Sequence, residues 1–397
     1  MYDLKIYTNI IEQDALDQIN TLLEQPAFQG CKVRIMPDVH SGKGCVIGFT
    51  ADLGDKVFPN IVGVDLGCGM LTVKLDASSI DFDRLDGVIH EFVPNGRDIH
   101  AAPQTDFPDL QNLYCLSHLK DTNRILCSIG TLGGGNHFIE VDRGQDGALY
   151  LVIRTGSRNL GKQVAEYYQN LAYRLVAYNE EEYDAKRKAL ISEYKKFGRV
   201  RELPDALKKL KADAAEKAAS VDRNMCYLEG EEREHYLHDM KICQDYAKLN
   251  RKMIADTILE KMEISEISRF ETVHNYIDHV SNIVRKGAIS AQKDELLLIP
   301  ISMKDGCILG RGKGNEDWNC SAPHGSGRLM SRSEAKKKLN VAEFVEEMAG
   351  IYTTCVSEET LDEAPMAYKS LDSIVANIAD TVEIIEILKP AYNFKAN

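Results

Sequence analysis

Residues Val62–Met70 read Val-Gly-Val-Asp-Leu-Gly-Cys-Gly-Met, or VGVDLGCGM. The stretch sets a carboxylate, Asp65, three positions before a thiol, Cys68, and places Gly63, Gly67 and Gly69 around them. Ordered glycine is entropically unfavourable, so such a cluster marks a tight turn or a place where something approaches the main chain closely. With an oxygen and a sulfur donor side by side, a borderline cation such as Zn, Mn, Fe or Co is expected there, rather than Ca or Mg. A cysteine taken singly is more often a small buried apolar residue. The rest of the chain has to separate these readings.

The whole chain sets broad bounds. With 397 residues, 44% hydrophobic and 27% charged, it has the composition of a soluble globular protein with a large core. The longest apolar run, Leu296–Ile301, is interrupted by Pro300 and far too short to span a bilayer. The start of the chain has no basic region followed by an apolar run, so no secretory signal is expected and the location is expected to be cytoplasmic. Ten scattered cysteines form no CxxC pair, which speaks against a disulfide framework. A net charge of −13 disfavours nonspecific coating of nucleic acid. Residues 281–340 nevertheless carry 11 Lys/Arg against 6 Asp/Glu, and phosphate chemistry would fit there.

Short β-like runs (Lys32–Met36, Val46–Thr50, Met70–Leu75, Tyr150–Ile153) alternate with glycine turns up to about residue 155, the pattern of an α+β architecture. Helices are expected over residues 10–24, from Gln163 to Tyr178 and over Glu231–Lys261. The segment Glu180–Ala219, dense in Lys, Glu, Ala and Leu and punctuated by Gly198 and Pro204, reads as a helical hairpin with solvated faces. A β-like, glycine-rich stretch returns from Thr272 to Gly327. Polar motifs recur from residue 38 to residue 395, so a single domain over residues 1–397 is expected, with a helical excursion at about 179–222.

Four further stretches share the character of the first. Gly130–Glu140, GTLGGGNHFIE, puts Asn136 and His137 after three glycines, whose N–H groups can cradle phosphate oxygens. Val273–Tyr276 supplies His274 and Asn275, and Met36–Gly44, MPDVHSGKG, supplies Asp38, His40 and Lys43 for phosphate or metal. Cys320–Arg332, CSAPHGSGRLMSR, sets His324 before Gly325-Ser326-Gly327 and Arg328. A neutral imidazole is a competent nucleophile toward phosphorus, and a guanidinium can pair bidentately with phosphate. Gly156–Gln163, GSRNLGKQ, comes close to a P-loop after a strand-like run, but Gln163 stands where a Mg²⁺-binding hydroxyl belongs. Only the milder expectation survives, that Ser157, Arg158 and the nearby amides meet a phosphate.

Taken in order, MPDVHSGKG, VGVDLGCGM, GTLGGGNHFIEV, the TGSR of Thr155–Arg158, the HNY of His274–Tyr276, HGSGRLMSR and the terminal LKPAYNFKA resemble the RtcB family of RNA ligases along nearly the whole chain. That resemblance implies a single large mixed domain of the RtcB type. It also implies joining of an RNA 3′-phosphate or 2′,3′-cyclic phosphate to a 5′-hydroxyl, with GTP and Mn²⁺. Asp65, Cys68, His137 and His274 match the family's metal ligands, Cys68 in the place of a thiolate that bridges two ions. His324 matches the histidine that becomes guanylylated. Asn136, Phe138, Glu140, Ser302, Met303, Gly325, Ser326, Gly327, Arg328 and Lys395 match residues around the nucleotide, with Lys395 where the guanine is read. The implied partners are broken tRNA or rRNA ends and an activating protein or release-factor homologue, as for some paralogues, without a membrane.

Two departures stand out. Arg154 occupies a position where the family usually has a metal-binding histidine, and a guanidinium has no lone pair to donate. One well-formed metal site at Asp65, Cys68 and His137 is therefore expected, with His274 as a weaker ligand and Arg154 at a phosphate. Ile301 replaces a usual glycine before Ser302-Met303, so a loop of altered shape is expected. Two rival readings remain open: a metal-dependent cyclic phosphoesterase, and a weakly active or regulatory family member.

Overall fold

In the strand Leu149–Thr155, Leu149, Leu151 and Ile153 point to one apolar cluster, while Tyr150 and Val152 point to another. Period-two alternation with both faces apolar is what a central strand covered on each side requires. The strand lies inside a seven-stranded sheet of the computed structural model, which describes residues 3–52, 54–178 and 180–395. The spatial order is Leu296–Ser302, Gly306–Gly312, Val382–Lys395, Phe138–Arg143, Leu149–Thr155, Gly69–Leu75 and Glu266–Val273, every neighbouring pair antiparallel. A five-stranded sheet orders Asp3–Ile6, Lys32–His40, Ile47–Asp52, Ile283–Lys286 and Asn275–Ile277, with the first pair parallel. Ala288–Ser290 pairs with Ser321–Pro323 separately. Helix and sheet are mixed throughout, as an α+β chain demands.

Register places the site. Gly69 sits opposite both Thr155 and Val273, and Phe138 opposite both Arg154 and Lys395. Cys68, His137, Arg154, His274 and Lys395, remote in sequence, are thereby gathered at one end of the sheet.

Four expected β runs are strands, and the expected helices form as Gln13–Leu23, Arg158–Tyr173 and Gly230–Met262. The excursion is a hairpin of Glu180–Lys196 and Leu203–Ala219, with Lys217 reaching Glu182 at 3.5 Å. Within Leu203–Ala219 only Ala218 is buried, in accord with solvated faces. Residues 1, 2, 53, 179, 396 and 397, which the expected domain and excursion bounds include, lie outside the described residues. Among the described residues no helix is long and apolar enough to cross a membrane.

Gly67 and Gly69 have a different cause from the one expected. A Cβ on Gly69 would lie 2.6 Å from the Thr272 carbonyl oxygen, and one on Gly67, where φ is +71°, would lie 2.8 Å from the Gln244 Cα. These glycines admit the protein's own strand and helix, so their presence follows from packing rather than from access of an ion.

Candidate active site

Asp65, Cys68 and His137 bring one donor atom each within 4.8 Å of one another. His137 sits at the mouth of its strand, and its Nδ1 donates to the Leu132 carbonyl at 2.8 Å. That bond leaves the Nε2 lone pair facing Cys68 Sγ at 3.8 Å and Asp65 Oδ2 at 3.4 Å. A ligand imidazole is typically oriented in this way by a carbonyl on its other nitrogen. Burial and then the Asp65 carboxylate push the Cys68 thiol far above its usual range, so a thiolate at this position calls for a cation beside it. The donor set therefore fits a borderline divalent metal. Gly156 makes the arrangement possible, since a Cβ there would fall 2.3 Å from Asp65 Oδ1. His274 stands apart from this triad. It is buried, its N–H donates to the Cys68 carbonyl at 3.0 Å, and both its ring nitrogens lack a partner.

Beside the triad opens a cavity of about 520 Å³, the size of a small-ligand site. Each residue expected at the nucleotide lines it: Asn136, Phe138, Glu140, Ser302, Met303, His324, Gly325, Ser326, Gly327, Arg328 and Lys395. Arg154 lines it as well. His324 Nδ1 lies 2.6 Å from Asp38 Oδ2, which also accepts the His324 N–H at 3.2 Å. With the proton held at Nδ1 by a carboxylate, Nε2 carries the free lone pair. Lys369 secures Asp38 by donating to the flanking carbonyls of Pro37 at 3.1 Å and Val39 at 2.9 Å. Burial pushes His40, whose Nδ1 lies 2.9 Å from the Asp38 carbonyl oxygen, down to about 4, so its imidazole is neutral.

At the other end of the cavity Lys395 Nζ donates to Glu363 Oε2 at 2.8 Å, and lies over the Phe138 ring at 5.2 Å. Glu363 also meets Arg328 Nη1 at 3.4 Å and the Tyr368 hydroxyl at 2.7 Å. Against its burial, Lys395 and Arg332 hold the Glu363 carboxyl well below the usual carboxylate range. Arg328, expected to clamp a phosphate, has its donors engaged inside the protein: Nε on the Met330 carbonyl at 3.1 Å, Nη1 on the Tyr368 hydroxyl at 2.9 Å and Nη2 on the Asp362 carbonyl. Ser157 is likewise turned inward, fully buried with its hydroxyl on the Leu66 carbonyl at 2.5 Å. Arg158 donates to Thr131 Oγ1 at 3.0 Å and the Gly96 carbonyl at 3.2 Å. In the would-be P-loop, Gln163 Oε1 accepts the Lys120 N–H at 2.6 Å, a structural use. Ile301 is buried, and the strand register shifts between Pro300 and Ser302.

Some residues escaped sequence reading. Glu363 carries no motif of its own, and no local pattern announces it. Asn250 and Arg251, inside the long helix, tie the site loops together. Asn250 Oδ1 accepts the N–H groups of Gly130 and Thr131 at 2.8 and 3.1 Å, while Arg251 Nη1 donates to the carbonyls of Gly67 and Thr155 at 3.0 and 2.9 Å. A polar Asn-Arg pair amid Ala247, Ile254 and Ala255 is the one signal that could have found them. Beneath the cavity, Glu140, Asp142 and Cys307 form a second buried group within 4.8 Å. Burial raises both carboxyls, Asp142 to about 6.

The profile of the tRNA-splicing ligase RtcB family matches residues 18–112 and 106–396. The RNA-splicing ligase RtcB of Escherichia coli K12 is 28% identical, with 96% of this chain and 93% of that protein covered. RNA-splicing ligase RtcB2 of E. coli ATCC 25922 is 25% identical over 97% of this chain and 93% of its own length. The tRNA-splicing ligase RtcB of Archaeoglobus fulgidus is 26% identical over 92% and 87%.

Proposed function

This chain belongs to the tRNA-splicing ligase RtcB family, and from that premise we propose that it is a GTP-dependent RNA ligase of the cytoplasm. It joins 3′-phosphate or 2′,3′-cyclic phosphate ends to 5′-hydroxyl ends, in repair of broken tRNA or rRNA. The observation that carries this reading is His324, whose Nδ1 is held 2.6 Å from Asp38 while the ring lines the cavity.

In this reading Nε2 of His324 attacks the α-phosphorus of GTP. A P–N bond forms, the bond to pyrophosphate breaks, and Asp38 stabilises the positive charge that develops on the ring. Lys395, Glu140 and Phe138 surround the guanine. An oxygen of the RNA 3′-phosphate then attacks the same phosphorus and the P–N bond breaks, leaving the RNA end joined to GMP through a diphosphate. The 5′-hydroxyl attacks the RNA-side phosphorus, loses its proton to solvent, and GMP departs with the bridging oxygen. A cyclic phosphate end is first hydrolysed to the 3′-monophosphate. A divalent ion held by Asp65, Cys68 and His137, which we take to be Mn²⁺, would neutralise phosphate charge and polarise phosphorus.

Incubation with radiolabelled GTP and Mn²⁺ is expected to give a covalent adduct that His324→Ala lacks. Absence of an adduct with every divalent metal tried would refute nucleotidyl transfer. Ring opening of a cyclic phosphate without pyrophosphate release would then favour the phosphoesterase reading.

A further inference from the structure

Arg154 stands alone among the cations of the cavity wall. Lys395, Arg328 and Arg332 each pair with a protein carboxylate, and Lys43 is exposed at the mouth. Arg154 projects from the face of its strand shared by Tyr150 and Val152, with cross-strand neighbours Met70 and Phe138. No described residue forms an ion pair or a side-chain hydrogen bond with its guanidinium, and its Nε is buried without a partner. A guanidinium does not give up its proton, so the site carries a fixed and unpaired positive charge. Arg154 is half-buried, and the part of its charge withdrawn from water is unfavourable unless an anion meets it.

The surroundings say what kind of anion. Strand register sets Arg154 across from Met70, two residues past Cys68, and across from Phe138, whose other neighbour is Lys395, so it stands between the metal triad and the far end of the cavity. His274, 1% exposed, presents two unpartnered ring nitrogens, and its ring centre lies 4.9 Å from that of His324. A fork of guanidinium N–H groups on the cavity wall, with an imidazole N–H behind the cavity-lining His324, matches a tetrahedral oxyanion. A second divalent ion on His274 would face the fixed charge of Arg154 with a neutral ring as its ligand, an unfavourable arrangement.

We propose that Arg154 and His274 form a phosphoryl-binding pair, and that Arg154 is the second cation of a site holding one metal ion. The pair takes either a phosphate of GTP or the terminal 3′-phosphate of RNA. This rests on the ligase reading for the identity of the ligands, but its test does not depend on turnover.

The full-length protein is titrated calorimetrically with Mn²⁺, and its affinity is measured in EDTA for GTP, for a 3′-phosphorylated oligoribonucleotide and for the same oligonucleotide ending in a hydroxyl. One Mn²⁺ per wild-type chain is expected, rising to two in Arg154→His. Arg154→Met is expected to lose roughly tenfold or more in affinity for one phosphorylated ligand, the scale of one charge-assisted hydrogen bond. The 3′-hydroxyl RNA should bind unchanged. A loss confined to GTP assigns the pair to the nucleotide, and one confined to the 3′-phosphorylated RNA assigns it to the RNA end. Arg154→Lys, which keeps the charge without the fork, controls for folding and should fall between. Two ions in the wild type, or unchanged affinity for both phosphorylated ligands in Arg154→Met, overturns the proposal. A single ion and Arg154-dependent phosphate binding without any GMP adduct would refute the ligase reading and leave this one standing.

Discussion

The two ends of the cavity settle their charges in opposite ways. At the Lys395 end, one buried carboxylate, Glu363, collects Lys395, Arg328, Arg332 and the Tyr368 hydroxyl, so each cation has its partner before any ligand arrives. At the Arg154 end a guanidinium and the His274 ring have none among the described residues. A pre-paired cation gives a wall its shape and polarity, whereas an unpaired one is a binding determinant held at the expense of stability.

Substitutions can break this contrast. The largest effect is expected from Glu363→Gln, which takes the carboxylate from Lys395 and Arg328, while Arg332 keeps Asp362 at 2.6 Å, and should lower stability by about 3–5 kcal/mol in urea unfolding. Stability unchanged to within 1 kcal/mol would mean that the cluster is not pre-paired in solution. Next comes Asp38→Asn, between the two ends, which should slow formation of the GMP adduct by about 10²-fold or more while leaving the fold intact by circular dichroism. An unaltered rate would show that His324 needs no carboxylate behind it. Arg154→Met should act opposite in sign to Glu363→Gln, raising the melting temperature by the equivalent of about 0.5–2 kcal/mol. A fall as large as that of Glu363→Gln would erase the distinction between the ends.

The smallest and broadest effect is in pH. The Glu363 carboxyl is held below its ordinary value of 4.5, so its contribution to stability is complete above that pH and is lost as pH falls toward the folded value. Unfolding followed below pH 4.5 should show a wild-type loss that Glu363→Gln lacks. Parallel curves for the two proteins would contradict it.

How much of this was legible depends on whether the signal is local. Asp65 and Cys68 share one nine-residue stretch, and His137 follows three glycines, so their candidacy as one donor group could be read from neighbours. The strand-like character of Leu149–Ile153 was legible for the same reason. The Asp38–His324 pair spans 286 positions and depends on strand register, which local composition does not encode. Asp38 and His324 were each singled out, but their pairing was not. Arg328 shows the converse limit: its sequence setting advertises a phosphate clamp, yet Glu363, Asp362 and Tyr368 arrive from elsewhere and occupy it. Arg154 was read from its residue type as a lost metal ligand and a phosphate contact, and the lack of a partner for its Nε among the described residues adds what residue type alone does not carry.

The helix Gly230–Met262 holds loops from three remote parts of the chain through two adjacent residues, Asn250 and Arg251. A shift of that helix would therefore move the Gly67, Gly130–Thr131 and Thr155–Gly156 backbones together. Displacements of the side chains carried on these loops become correlated, and correlated displacements leave distances between them nearly unchanged. The spacing of Asp65, Cys68 and His137 is in this sense buffered against motion of the surrounding protein.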